Sequence, residues 1–449
     1  VRTLIRNGRV ATGGRLESVD LLIEDSRIAA LGQFPDLLPD REIDATGLFV
    51  LPGFMDFHTH IADRIGRYEL ADGYSSGTEV AVRNGITTVC TFVTQGPGES
   101  LPGALRRAQD KAAGACHADL LWHLTPTGYE PADLADQRAL AEAGFRTWKF
   151  YTTYRAAGLY CDLQRLEDNF RRLGPLGARI LMHCEDDGCL CGVDPDSLDL
   201  TRASSHPRLR PSAAEARSVE DLVALAGKFS VPLHVVHVST VEAAERLMEA
   251  RIRADVTCET CPQYLWLDEG WLARQDGHRW LCSPPLRDRR ETFRALARGG
   301  AFDILATDHC AFHAADKDDW DRRDIRAVAN GVAGLGALPH LAWKLWAEDP
   351  PRAALELAHR LSLNPARRAG VEGRKGDLRP GLDADVVLLD PAGPEQPVCS
   401  SLSDSFETYP GFTSTLTLRE VLLRGQTVAR DGQLAAEGAF RGRPLQRSL

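Results

Sequence analysis

Between residues 49 and 308 the chain repeats one pattern: a short apolar run, a turn, then a stretch with apolar residues at helical spacing. The apolar runs at 49–58, 87–92, 119–124, 146–151, 179–183, 233–238, 253–258 and 302–308 are expected strands. The stretches at 105–113, 163–173, 218–228 and 241–250 are expected helices. Strands separated by helices return to the same end of a sheet and pair in parallel. Eight such units are what a (β/α)8 barrel needs. An open, doubly wound sheet alternates in the same way, but it more often carries a Gly-rich phosphate turn after its first strand. None follows residue 58. The expected fold class is therefore α/β, with a TIM-like barrel at its centre.

The two ends have a different texture. Short alternating runs at 3–8 and 21–28 are broken by Asn7-Gly8 and Asp25-Ser26, which is turn chemistry between strands. The same texture returns at 383–390 and 420–428. A 50-residue fragment could hardly bury a core alone. Residues 1–50 and 375–449 are accordingly expected to form one small β-sandwich domain from both ends, enclosing a barrel of 51–374.

Composition narrows the function. A formal net charge of -10 disfavours nucleic acid, whose binders need a basic footprint. The basic run at 287–290 has acidic neighbours and reads as a solvated face. No stretch approaches the ~20 uninterrupted apolar residues of a membrane span. The cysteines number 11, an odd count scattered through apolar runs, which suits reduced thiols and a cytoplasmic location. Cys189 with Cys191 and Cys258 with Cys261 lack a partner pair at zinc-ribbon spacing, so buried thiols are the simpler reading.

A barrel places its reactive residues at the C-terminal ends of several strands. His58 and His60 end the first expected strand, and residues two apart on a strand share a face. Lys149 lies in the fourth, His183 ends the fifth, His237 the sixth and Asp308 the eighth. Imidazole and carboxylate donors suit zinc first, with manganese, iron, cobalt and nickel as further candidates. Lys149 does not fit as an ammonium, which repels cations. Its neighbours Trp148 and Phe150 provide a hydrophobic setting that lowers a lysine pKa. A neutral amine can add carbon dioxide to become a carbamate able to bridge two metals. The alternative is an ordinary lysine paired with a carboxylate, and spacing alone leaves both open.

The motifs resemble the amidohydrolase superfamily, in the branch of hydantoinases, dihydropyrimidinases, allantoinases and dihydroorotases. The resemblance runs through Leu51-Pro52-Gly53-Phe54-Met55-Asp56-Phe57-His58-Thr59-His60, Trp148-Lys149-Phe150-Tyr151, Met182-His183-Cys184-Glu185, His237-Val238-Ser239 and Thr307-Asp308-His309-Cys310. Glu259-Thr260-Cys261-Pro262-Gln263-Tyr264 with Ser283-Pro284-Pro285-Leu286-Arg287 is particularly like hydantoinases and dihydropyrimidinases. It implies a binuclear hydrolase that opens the C–N bond of a cyclic amide. His58, His60 and Asp308 would hold one divalent ion and His183 and His237 the other. Lys149 would bridge them as N6-carboxylysine.

The same resemblance makes Asp308 the proton carrier, Tyr154 the oxyanion donor, and Ser283 and Asn330 contacts to the ring amide through backbone groups. It also implies a homotetramer or homodimer. Two departures bear on the substrate. Ala62 stands where dihydroorotases carry a carboxylate-gripping arginine, and the segment after His60 is unusually charged, so Arg64 or Arg67 is expected to meet a polar or anionic substituent. An allantoinase or dihydroorotase-like enzyme is the nearest alternative. A mononuclear deaminase would not need Lys149, and a non-catalytic scaffold relative would not need all six ligands.

Overall fold

The computed structural model describes residues 1–436 and 441–446; the last part of the expected terminal domain, at 437–440 and 447–449, lies outside the described residues. Eight parallel strands form the central sheet: β1 (Phe54–His60), β2 (Ile86–Thr94), β3 (Asp119–Thr125), β4 (Thr147–Tyr151), β5 (Arg179–His183), β6 (Leu233–Val235), β7 (Val256–Thr260) and β8, split into Ile304–Leu305 and His309–Cys310. Each pairs with the next, and the second half of β8 pairs with β1 through His309 against Thr59 and Cys310 against His60, so the sheet closes on itself. Helices at Leu101–Ala112, Leu163–Leu173, Ser212–Phe229 and Val241–Ala250 lie between the strands. Their starts are set locally. The side chains of Ser100, Asp162 and Thr240 each accept an N–H from the first turn, satisfying donors that the helix cannot.

The strand bounds differ from expectation where the backbone turns. The run at 49–58 is two strands, Phe49–Pro52 and β1, separated by Gly53, whose N–H donates to the Asp385 carbonyl at 2.9 Å. The runs at 233–238 and 302–308 end early as strands, because His237 (φ 40°) and Asp308 (φ 50°) adopt left-handed backbone.

Met55, Phe57, Cys90, Phe92, Leu121, Leu181 and Val236 form a cluster separate from the main core, as the filling of a closed barrel does. Outside the barrel, four strands pair in the spatial order Arg27–Gly32, Asp20–Glu24, Arg2–Arg6, Arg41–Asp44. A seven-stranded sheet joins both ends of the chain, since Val386–Asp390 pairs with Phe49–Pro52 on one side and Thr417–Leu423 on the other. Ile5, Val10, Leu21, Ile23, Leu388 and Leu422 share one buried cluster, which makes the two sheets a sandwich.

Candidate metal centre

Strand β1 slips by one residue between Asp56 and Thr59 relative to β2. A bulge of this kind lets two neighbours in sequence turn the same way. Phe57 packs its ring edge-on to His123 and His234 inside the barrel, while His58, the next residue, faces Asp308. Below them Asp56 is fully buried and accepts N–H bonds from His58 and Thr307 and the Thr307 hydroxyl at 2.5 Å. Burial pushes its carboxyl up to about 6, against those donors. This carboxylate ties the end of β1 to the turn that presents Asp308.

At the mouth of the barrel, His58 Nε2 lies 3.1 Å and His60 Nε2 3.4 Å from one oxygen of Asp308. These three residues bring their ligand atoms within 4.8 Å of one another. On the far side of the His58 ring, Nδ1 meets Glu259 at 2.5 Å, and Glu259 also takes His234 Nε2 at 3.1 Å. Such a carboxylate fixes the tautomer and aims the other nitrogen outward, as second partners of metal-binding histidines do. Burial opposes charge on His58, but Asp308 and Glu259 outweigh it and raise its pKa. Burial likewise works against the Asp308 carboxylate, and the imidazoles around it hold it well below the usual range.

His183 Nδ1 and His237 Nε2 face each other at 2.9 Å. His183 Nε2 is held at 2.7 Å by Glu185, which Arg210 grips in turn. Burial keeps both rings neutral, bringing His183 down to about 4 and His237 well below its ordinary value. Lys149 is 1% exposed, its Nζ 5.2 Å over the Phe92 ring and 5.0 Å over Tyr151. Among the described residues no carboxylate lies within ion-pair distance of it. Burial lowers its pKa to about 8, with Asp308 and Glu259 pulling the other way. The donor set is therefore a group of imidazoles, two of them kept neutral by burial, a buried carboxylate, and an amine whose pKa lies well below that of an ordinary lysine. This is chemistry suited to divalent ions.

The six residues named from the sequence all line one cavity of about 310 Å³, together with Tyr154, Ser283, Asn330 and Arg64. Tyr154 reaches it from left-handed backbone (φ 69°), with its ring 4.9 Å from that of His183. Asn330 Nδ2 donates to Ser283 Oγ at 2.6 Å. Tyr154, His237 and Asp308 all carry positive φ, a conformation costly for such residues and concentrated at functional sites. Arg67 is not brought in: it reaches Asp319 at 2.9 Å on an exposed surface. Glu259, Glu185, Arg210 and Phe92 are the contributors whose parts sequence reasoning missed. The one local signal was Glu185, two residues after His183 at the end of a strand.

Residues 49–151 match the model of the amidohydrolase family. A D-phenylhydantoinase of Escherichia coli O9:H4 (strain HS) is 33% identical over 465 aligned residues, covering 100% of this chain and 98% of that protein. The chain belongs to the cyclic-amide branch of the amidohydrolases. The branch is also evident in solved structures. The dihydropyrimidinase of Brevibacillus agri NCHU1002 matches with a TM-score of 0.91 at 28% identity, covering 100% of this chain and 99% of that one. A D-hydantoinase from Bacillus sp. AR9 matches with a TM-score of 0.92 at 28% identity and 99% coverage of both chains. This amidohydrolase is thus an enzyme of the branch by sequence and by fold. All 11 of its cysteines are free thiols, and among its described residues no helix is long and apolar enough to cross a membrane.

Proposed function

We propose that this amidohydrolase opens the ring of a cyclic amide or ureide by hydrolysing a C–N bond at a two-metal centre. The observation that carries the reading is the convergence of His58 and His60 on one oxygen of Asp308, beside a buried lysine with no anionic partner among the described residues. His58, His60 and Asp308 would hold one divalent ion, zinc first among candidates, and His183 and His237 the other. Lys149 would bridge them as N6-carboxylysine, formed when its neutral amine adds carbon dioxide and releases a proton. Bound ions would supply Lewis acidity, acidifying a water and polarising the ring carbonyl.

The rest is the work of the chain's own residues. Asp308 takes the proton of the attacking water and hands it to the leaving ring nitrogen, because an amide anion is a poor leaving group. The Tyr154 hydroxyl donates to the oxygen that becomes negative; burial raises its pKa, so it stays a donor. Backbone groups at Ser283 and Asn330 hold the ring amide. Arg64 lines the cavity, and this favours a second reading in which the ring bears a polar or anionic substituent, as an allantoinase-like or dihydroorotase-like enzyme would require. The division into 1–50 with 375–449 and 51–374, assembly as a homodimer or homotetramer, and a cytoplasmic setting belong to the same proposal.

Metal analysis tests the centre and a substrate panel tests the reaction. The purified protein is expected to carry two ions per chain, with a sharp fall in Lys149→Ala, and to open at least one of hydantoin, dihydrouracil, allantoin and dihydroorotate. A folded, metal-free protein inert on all four would refute both.

A further inference from the structure

Resting on that reading of the reaction, we infer that Lys317 is a positioning residue that clasps together the two segments presenting Ser283 and Asn330 to the substrate. The side chain comes from the short helix Ala314–Asp318, outside the set of residues used above. It is 2% exposed, and its Nζ donates to the Leu281 carbonyl at 3.0 Å and to the Ala329 carbonyl at 2.7 Å. Leu281 lies two residues before Ser283, and Ala329 immediately precedes Asn330. The clasp therefore closes directly behind both groups that face the cavity.

Two weaker ties join the same segments. Gly331 N–H donates to the Leu281 carbonyl at 2.9 Å, and the Asn330 side chain donates to Ser283 Oγ. Gly331 cannot easily move: a Cβ there would lie 2.7 Å from the Cys310 sulfur, so this backbone is already pressed against the turn that follows Asp308. The cation is an expensive choice for a merely structural tie. Lys317 has no salt bridge among the described residues, and the Phe312 ring 5.5 Å away is its aromatic neighbour. Buried cations normally find an anion. Here the charge is spent on two carbonyl oxygens, where charge-assisted bonds are stronger and shorter than neutral ones. That fixes the spacing between the two segments whose backbone groups hold the ring amide.

A clasp that orients ring-binding backbone acts on substrate and transition state alike, so its loss appears in KM and not in kcat. Lys317→Met, which keeps the length and removes the donors, is expected to raise KM for whichever cyclic amide the panel identifies by roughly tenfold or more, with kcat changed less than about threefold and metal content kept. Lys317→Gln retains a donor and is expected to fall between the two. Unchanged KM in Lys317→Met overturns the inference. So does a fall in kcat and metal content at constant KM, because the amine would then be supporting the centre itself. Hydrogen–deuterium exchange of the peptide spanning 325–333 reads the clasp without any turnover. Faster exchange in Lys317→Met upholds it and unchanged exchange overturns it, even if the protein opens none of the rings tested and the reading of the reaction fails.

Discussion

At the scale of single residues, the centre depends on groups that never reach the cavity. His58 can offer Nε2 outward because Glu259 holds Nδ1 from across the barrel. Removing that charge while keeping the shape should loosen the ion proposed to sit between His58, His60 and Asp308. Glu259→Gln is expected to lower metal affinity by about 10–100-fold, measured by competition with a chelator. Affinity equal to wild type would show that the carboxylate is not orienting the ring. Histidines at strand ends were legible in the sequence because their chemistry and periodicity coincide. Glu259 was not, because its partner is 201 positions away and only closure of the barrel brings them together.

At the scale of elements, the informative features are interruptions. Gly53 separates a sandwich strand from a barrel strand in what reads as one apolar run. A Cβ there would meet Thr87 Oγ1 at 2.2 Å and the Asp385 side chain at 2.9 Å. Gly53→Ala is expected to destabilise the fold by about 1–3 kcal/mol, seen as a lower denaturant midpoint. An unchanged midpoint would mean that the two strands can separate without cost. The split in β8 has the opposite use. By leaving the strand at Asp308, the backbone swings a carboxylate over the barrel mouth, and the slip in β1 turns His58 inward behind Phe57. Apolar periodicity signals a strand but not the residue at which it breaks, so these bounds were beyond the sequence pattern.

At the scale of the molecule, barrel and sandwich meet over a buried ionic cluster at the base of β3. Lys375 Nζ lies 2.7 Å from Asp119, 2.6 Å from Asp385 and 3.2 Å from Asp383, and Arg424 also grips Asp119. Burial works against charge on Lys375, but the three carboxylates outweigh it and raise its pKa. Burial opposes the Asp119 carboxylate too, yet Lys375 and Arg424 hold its pKa down. Asp385 goes up, since burial and Asp119 exceed what Lys375 returns. A raised lysine contributes stability that is complete below its ordinary value and is lost as pH climbs through the folded value. Lys375→Met is therefore expected to cost about 3–5 kcal/mol at neutral pH, because it leaves carboxylates buried without their cation. The gap between wild type and variant in thermal melts should stay level up to about pH 10 and narrow above it. A gap that widens there would reverse the assignment.

By itself the sequence determined the closed alternation of strands and helices, a terminal sheet domain built from both ends, and which side chains offering metal-ligand donor atoms gather at the barrel mouth. These depend on local periodicity and residue type, which need no partner to be read. Only the tertiary structure decided which charged residues after His60 face the cavity: Arg64 lines it, whereas Arg67 turns to Asp319. It also decided that Glu259, Glu185 and Arg210 orient the imidazoles, and that Lys317 joins two segments distant in the chain. Those are contacts between residues far apart in sequence, and they exist once the barrel has closed around them.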